Sequence, residues 1–183
     1  MDHLIEKTIS KEILYKGKVI NLQIEDVELP NGKTSKREII KHPGAVAILA
    51  ITDENRIVMV QQYRKALERV IVEIPAGKLE PGEKPEITAL RELEEETGYE
   101  CKTLSHLISF YTSPGFADEI IHLYIARGLT KKEQSADLDE DEFLDVLEVT
   151  LEDAEKLIAA KKIYDAKTAY AVQFLQLKKA LGD

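Results

Sequence analysis

The order of the sequence patterns predicts a fold of mixed α/β or α+β layers. Runs rich in β-branched residues fill the first part of the chain, a helix follows, strand-like runs return, and two helices close the chain. A parallel doubly wound sheet is disfavoured, because no glycine-rich turn from a strand to a helix opens the chain. With 183 residues, of which 44% are hydrophobic, the chain can bury the core of one domain.

The first residues form a β-rich segment, 1–42, that we separate from residues 43–183. Short strands are predicted around Glu12–Leu14, at Val19–Leu29 and at Ser35–Lys41. The turn Pro30-Asn31-Gly32 carries the Asn-Gly dipeptide that tight hairpins favour.

Residues 43–183 supply the other elements. The predicted strands are Ala45–Ile51, Arg56–Gln62, Val70–Ile74, His106–Tyr111, Glu119–Ala126 and Phe143–Val149, and the predicted helices are Glu83–Thr97, Leu151–Lys161 and Ala166–Leu181. In the last helix Tyr170, Phe174, Leu177 and Leu181 recur at helical spacing. This stripe predicts a face that packs in the core or at an interface.

Charge and hydropathy exclude several classes of protein. With 34 acidic and 25 basic residues the formal net charge is −9, which argues against a general nucleic-acid binder. The most apolar uncharged stretch, Pro43–Thr52, is about half the length of a membrane span. The segment Met1–Lys7 has no signal-peptide core, and the single cysteine, Cys101, excludes an internal disulfide. We therefore expect a soluble cytoplasmic protein.

Three glutamates on the first predicted helix could carry chemistry. Glu92, Glu95 and Glu96 lie at i, i+3 and i+4, so their carboxylates project from one face within about a turn. Taken alone, such a run is most often a solvated helix face. The alternative is a cluster that binds a hard divalent cation such as Mg²⁺, which prefers oxygen ligands.

The segment from Gly77 to Tyr99 resembles the Nudix box, GX₅EX₇REUXEEXGU, in which U is a bulky apolar residue. The one mild departure is Tyr99, which is aromatic where the family usually has an aliphatic residue. The resemblance implies an enzyme that hydrolyses a nucleoside diphosphate linked to another moiety, using Mg²⁺ or Mn²⁺. It also implies an α/β/α sandwich around a mixed sheet.

Further stretches resemble the ADP-ribose pyrophosphatase branch of this family. They are Arg37-Glu38 with the following Ile-Ile-Lys-His-Pro-Gly-Ala-Val, Gln61-Gln62-Tyr63-Arg64, Glu73-Ile-Pro-Ala-Gly77, Ser113-Pro114-Gly115-Phe116-Ala117-Asp118-Glu119 and Asp139-Glu140-Asp141-Glu142. Together with the box they cover most of residues 10–180.

Matching to the family assigns a role to each box residue. Glu92 and Glu96 are the expected bridging metal ligands, and Glu95 is a further ligand, a partner of the ligands or a catalytic group. The carbonyl of Ala76 is an additional expected ligand, with two or three ions per site. Arg91 is expected to orient the glutamates. Separately, Glu83 is expected to stabilise the loop, and Gly77 and Gly82 to form turns that a Cβ would disturb.

The catalytic base is expected outside the helix, in the acidic run Asp137–Glu142. The resemblance favours Glu140 as the group that activates water and Glu142 as an additional metal contact, with the reverse assignment left open. Glu95 and Glu119 are the next candidates for the base.

Local cations must hold an anionic substrate on a chain of negative net charge. Arg37 and Arg64 are the candidates, because a guanidinium can bind phosphate oxygens in pairs. Glu38 could accept from an adenine amino group or a ribose hydroxyl. The other expected substrate contacts are Gly77, Ser113, Pro114, Gly115 and Glu119. In related enzymes the segment that holds Arg37 crosses to a second subunit, so a homodimer is expected, with or without exchanged strands.

The leading functional hypothesis is Mg²⁺-dependent hydrolysis of ADP-ribose to AMP and ribose 5-phosphate. Another nucleoside diphosphate sugar is the alternative with the same chemistry. A regulatory domain that binds ADP-ribose without cleaving it is the alternative of a different class, and the intact set of box glutamates disfavours it.

Overall fold

The computed structural model describes residues 2–132 and 143–182. Two compact units divide the chain: Met1–Gly44 with Phe110–Ile120, and Ala45–Ser109 with Ile121–Asp183. We call them the first unit and the second unit.

The first unit contains an antiparallel three-stranded sheet. Its strands are β1 (Lys7–Lys16), β2 (Asn21–Glu28) and β3 (Thr34–Lys41), in that spatial order. The predicted hairpin turn is present, with Gly32 at φ 79°. The first strand is longer than the predicted stretch around Glu12–Leu14, because eight of its ten residues pair with β2, although all ten are exposed.

The second unit contains a mixed sheet. Its strands are β4 (Ala45–Ile51), β5 (Ile57–Arg64), β6 (Arg69–Glu73), β7 (Ala76–Lys78), β8 (Tyr99–Tyr111, whose last two residues belong to the first unit), β9 (Ile120–Lys131) and β10 (Leu144–Val149). The main path runs β10-β5-β4-β9-β8, with β6 beside β5 and β7 beside β4. The pair β4–β9 is parallel, whereas β4–β5 and β5–β10 are antiparallel, so the expected mixed sheet is confirmed.

Three helices complete the described part of the second unit: α1 (Pro85–Thr97), α2 (Leu151–Ala159) and α3 (Ala166–Leu181). Thr150 caps α2 by accepting from Asp153 N, and Asp165 caps α3 by accepting from Thr168 N. None of the helices in the described ranges has the length and apolarity that crossing a membrane requires.

Successive side chains of a strand point to opposite faces of the sheet, so each face can pack against helices of its own. On one face Ile48 and Ala50 pack with Ala89 and Leu93 of α1. Towards the other face, Thr168 of α3 accepts a hydrogen bond of 3.0 Å from Ile74 N. These layers agree with the expected α/β/α arrangement.

The start of β8 was predicted wrongly, because the strand begins at Tyr99 rather than His106, directly after the left-handed Gly98 that ends α1. Of the two alternatives for the stripe on α3, burial in the core does not hold for its last residues, because Thr168, Ala171 and Val172 are buried while Leu177 is 59% and Leu181 69% exposed. Packing at an interface stays a prediction. Small residues let the helix lie close to the sheet, so the large ones are left at its edge.

Candidate active site

The candidate site lies where β7 leads through a loop into α1. β7 pairs with the start of β4, matching Ala76 to Ala47 and Gly77 to Val46. The helix starts with Pro85, and Gly98, at φ 71°, ends it by donating its N–H to Glu94 O. The start of this segment is therefore attached to the sheet, and the helix has a defined end at Gly98.

Glu92 is held directly against the backbone of Gly77. A Cβ built on Gly77 would lie 1.8 Å from Glu92 Cδ and about as close to both carboxylate oxygens. Gly77 is not among the described residues with positive φ, so the predicted turn conformation is present only at Gly82, at φ 84°. Gly77 serves to leave room for a carboxylate.

Glu96 is the most buried of the three box glutamates on the helix. It is 3% exposed, and its Oε2 accepts a hydrogen bond of 2.9 Å from Ala76 N. The carboxylate is therefore fixed to the same short strand whose carbonyl was expected to bind metal.

Arg91 donates hydrogen bonds to three carboxylates, two on the helix and one at the end of the loop. Its Nη1 donates to Glu92 at 2.9 Å and to Glu95 at 2.7 Å, and its Nη2 donates to Glu83 at 3.2 Å. Burial by itself would lower the pKa of Arg91, but the hydrogen bonds to Glu83 and Glu95 and the charge of Glu92 raise it above its usual value. Hydrogen bonds from Arg91 and Thr88 lower the pKa of Glu83. Three carboxylates around one guanidinium leave negative charge in excess.

A divalent cation fits the chemistry of this cluster. Within residues 2–132 and 143–182 no three His, Cys, Asp or Glu side chains are already arranged to hold a metal ion. Arg91 and the Ala76 N–H bond to the glutamates instead. The donors are nevertheless carboxylate oxygens on one helix face, next to a backbone strand. Hard cations such as Mg²⁺ prefer such donors.

Arg64, an expected phosphate ligand, lies in the second unit and belongs to a buried charge network. Its Nε donates to Glu73 Oε2 at 2.5 Å, and Lys167 bonds to Glu73 Oε1 and to Asp165. Burial raises the pKa of Glu73, but the charge of Lys167 and the hydrogen bonds from Arg64 and Lys167 together lower it. The Arg64 side chain is 38% exposed, so it is not fully enclosed by this network.

The other expected substrate residues lie in the first unit. Arg37 bonds to Glu6 and Ser35, and Glu38 is exposed on β3. Ser113 O accepts from the N–H groups of Phe116 and Ala117, which closes the turn that contains Pro114 and Gly115. Separately, Glu119 accepts from Thr112 Oγ1 at 2.6 Å. Glu140 and Glu142 lie outside the described residues.

The structure also shows partners that the sequence did not predict. Glu73 and Lys167 are 94 residues apart in the chain, and no spacing rule connects them. Ser109 Oγ lies 2.8 Å from a ring nitrogen of His106 and from one of His122, two histidines on neighbouring strands. Only the pairing of β8 with β9 brings them together.

Comparison with known proteins agrees with the geometry of the loop and helix. Residues 41–170 match the NUDIX domain, and residues 6–40 match the nucleoside diphosphate sugar hydrolase N-terminal domain. The fold resembles a crystal structure of an ADP compounds hydrolase, with a TM-score of 0.83 and 22% identity over 97% of this chain and 96% of that one.

Two relatives are similar over nearly the whole chain. An ADP-ribose pyrophosphatase from Bacillus subtilis is 67% identical over 99% of this chain and 98% of its own length. A methanol dehydrogenase activator from Bacillus methanolicus is 68% identical over 96% and 95%. With the box glutamates gathered around Arg91 and the NUDIX match over most of its length, this chain belongs to the Nudix family and is a Nudix pyrophosphohydrolase.

Proposed function

We propose that this protein hydrolyses ADP-ribose to AMP and ribose 5-phosphate, with Mg²⁺ or Mn²⁺ as its cofactor. The observation that carries the proposal is the excess of carboxylates gathered by Arg91 on α1. The relative from B. subtilis supports ADP-ribose as the substrate, and the match of residues 6–40 supports nucleoside diphosphate sugars as a class.

The metal would be held by Glu92, Glu95 and Glu96 together with the carbonyl oxygen of Ala76, in a site for two or three ions. Bound cations would clamp the diphosphate oxygens and offset charge on the leaving phosphate. The chain's own contribution is positional. Gly77 leaves the space that the Glu92 carboxylate occupies, and the Ala76 N–H fixes Glu96.

Arg91 would act as a positioning residue for these ligands. It already bonds to Glu92 and Glu95, so it limits the repulsion between carboxylates before a cation arrives. When the cation binds, Glu83 would keep the guanidinium in place at the end of the loop.

The base that activates water would be Glu140, with Glu142 as an additional metal contact. Glu140→Gln should lower kcat by roughly 10²–10⁴-fold with little change in KM, as removal of a general base does. Glu142→Gln should instead raise the Mg²⁺ concentration needed for half-maximal rate. If the two results are exchanged, the roles are exchanged; if neither variant is impaired, the base is another group, with Glu95 and Glu119 tested next.

Arg64 and Arg37 would bind the diphosphate, and Glu38 would accept from the adenine amino group or a ribose hydroxyl. The remaining contacts would come from Gly77 and from the turn Ser113–Glu119, including Pro114 and Gly115. Arg64 is the best prepared of these, because Glu73 orients its guanidinium and its side chain remains partly exposed.

The deciding experiment is product analysis with a panel of nucleotide sugars. Purified protein would be incubated with ADP-ribose, GDP-mannose and UDP-glucose, each with Mg²⁺ and with Mn²⁺, and the products separated by ion exchange. AMP and ribose 5-phosphate from ADP-ribose, formed faster than products from the other substrates, is the expected result. If GDP-mannose or UDP-glucose is cleaved faster, that nucleotide sugar takes the place of ADP-ribose as the proposed substrate. Binding without cleavage would favour a regulatory domain.

A second candidate function is activation of a dehydrogenase. The relative from B. methanolicus is a methanol dehydrogenase activator and is as similar to this chain as the pyrophosphatase. The assay is methanol dehydrogenase activity with and without this protein. Activation by the wild type but not by Glu96→Gln would make hydrolysis part of the activation.

The protein would be a cytoplasmic homodimer that associates through residues 1–42. The first unit exposes large apolar side chains that a second copy could cover: Leu4, Ile5, Ile9, Ile13 and Tyr15 are each 56–70% exposed. Light scattering should give twice the chain mass for the wild type and a monomer for Ile9→Lys combined with Ile13→Lys. A wild-type monomer would contradict this assembly.

A further inference from the structure

A cavity of about 700 Å³ lies within the second unit, apart from the Nudix box. The strand residues that line it alternate with those that pack against α1: Ile51 follows Ala50, and Ile125 and Arg127 flank Ala126. Since neighbouring strand residues point to opposite faces, the cavity is on the face of the sheet away from α1.

The cavity is also at the far end of β4 from the candidate active site. Gly77 pairs with Val46 near the start of β4, whereas the cavity is lined by Ile51 at its end and by Asn55 in the following turn. Ile51 is five positions along the strand from Val46, which is roughly 17 Å. No residue of the box lines the cavity.

The position of α3 explains why the sheet is left uncovered here. The helix buries Thr168, Ala171 and Val172 in its first half. Its second half contributes Phe174 and Lys178 to the wall of the cavity, while Leu177 beside them is 59% exposed. The cavity is the space between the sheet, this half of α3 and the start of α2.

The lining combines an apolar floor with charged side chains of both signs, which are Arg127, Lys178, Lys179, Glu54 and Glu152. Ile51, Ile57 and Ile125 come from three strands, and Phe174 faces them from α3. Arg127 is exposed at the edge, and within the described residues it forms no ion pair. In contrast, Lys179 of the same cavity is paired with Glu152 at 2.5 Å.

We propose that this cavity binds a small amphipathic organic anion. The apolar or aromatic body of the ligand lies on the isoleucine floor beside Phe174, and its carboxylate, sulfonate or phosphate group pairs with Arg127. The volume is within the range of small-molecule sites, which are mostly apolar with a few placed polar groups. Three cations and two carboxylates line the cavity, and Arg127 forms no ion pair with the residues that the structure describes, so the lining favours an anionic ligand over a neutral or cationic one.

The test is a fluorescence titration with 1-anilinonaphthalene-8-sulfonate, an aromatic sulfonate of this chemistry. The wild type should bind one dye per chain in this cavity, and Arg127→Glu should weaken that binding at least tenfold. Ser105→Trp, which places a large side chain in the cavity without changing charge, should have the same effect. Both variants should keep wild-type ADP-ribose turnover and melting temperature, because neither position is in the box.

The charge-matched control is Lys11→Glu, in the exposed sheet of the first unit between Ile9 and Ile13. It should leave the dye affinity unchanged. Loss of binding in Lys11→Glu with retention in Arg127→Glu would place the dye on the first unit and overturn the proposal. Equal affinity in wild type, Arg127→Glu and Ser105→Trp would also overturn it. Displacement of the dye by an equal concentration of inorganic phosphate would show that the cavity recognises only the anionic group. That result would overturn the proposal of an amphipathic ligand.

Discussion

Two charge clusters of the second unit are built in opposite ways. Around Arg91, three carboxylates share one guanidinium. Around Glu73, which is 3% exposed, two cations share one carboxylate, and Asp165 balances the second cation. The first cluster has negative charge left for a cation, whereas the second is neutral as a set. The comparison separates a cluster prepared for a cation from one that joins α3 to the sheet and orients Arg64.

Removing a carboxylate from the acidic cluster should produce the largest effect. Glu96→Gln retains an acceptor for the Ala76 N–H but loses a ligand charge, so turnover should fall by ~10³-fold, about 4 kcal/mol of transition-state stabilisation, with the fold intact. The measurement is kcat with saturating Mg²⁺. The matched control is Glu94→Gln on the same helix, where Glu94 pairs with Lys132 and should be dispensable. Near-wild-type turnover of Glu96→Gln would remove this residue from the site.

Removing a cation from the neutral cluster should cost stability instead. Lys167 is 11% exposed, and Lys167→Met would leave Glu73 with Arg64 alone, so the free energy of unfolding should fall by about 3 kcal/mol. Urea denaturation measures the change, and Lys179→Met, whose partner Glu152 is at the surface, is the control that should melt like the wild type. If both variants unfold at the same urea concentration as the wild type, the network does not hold α3.

Divalent cations should stabilise the acidic cluster and leave the neutral one unaffected. Because Mg²⁺ would bind the folded cluster and not the unfolded chain, a concentration of 100 Kd should add about 2.7 kcal/mol. The melting temperature should therefore rise from EDTA to millimolar Mg²⁺ in the wild type and in Lys167→Met, but not in Glu96→Gln. An unchanged melting temperature of the wild type would count against a preformed metal site.

The smallest expected effect is the pH dependence of the neutral cluster. The pKa of Glu73 lies below the 4.5 of a free glutamate, so its contribution is complete above that pH and is lost as pH falls through the lower folded value. The difference in unfolding free energy between the wild type and Glu73→Gln should therefore be constant from pH 7 to 5 and shrink below 4.5. If the difference in unfolding free energy grows on acidification, the pKa of folded Glu73 is raised rather than lowered.

The sequence predicted the acidic cluster and missed the neutral one, for a physical reason. Arg91 and Glu95 are one helical turn apart, so spacing alone places them together. Glu73 and Lys167 meet only because β6 and α3 pack, which no local pattern encodes. The same distinction holds for the fold.

Elements with complete local signals were predicted with correct ends. β4 is an apolar run, and α3 has Asp165 at its start and Gly182 after its end. By contrast, β7 was missed, because three residues with a glycine and a lysine form a strand only by pairing with β4. How far each α3 side chain is buried depends on how the helix packs on the sheet, which the helix's own sequence does not encode. The apolar stripe therefore did not identify the buried face.

The space beside Gly77 separates the demands of folding from those of catalysis. Glu92 fills the volume where a side chain at position 77 would be, and the obstructing atoms are the flexible end of that glutamate. A methyl group there would push the carboxylate aside at little cost to the backbone, because the φ of Gly77 is one that any residue adopts. Selection on folding alone would therefore tolerate alanine at this position. The glycine that begins the box therefore serves the position of one carboxylate rather than the fold, so a side chain at position 77 should impair cleavage before it impairs folding.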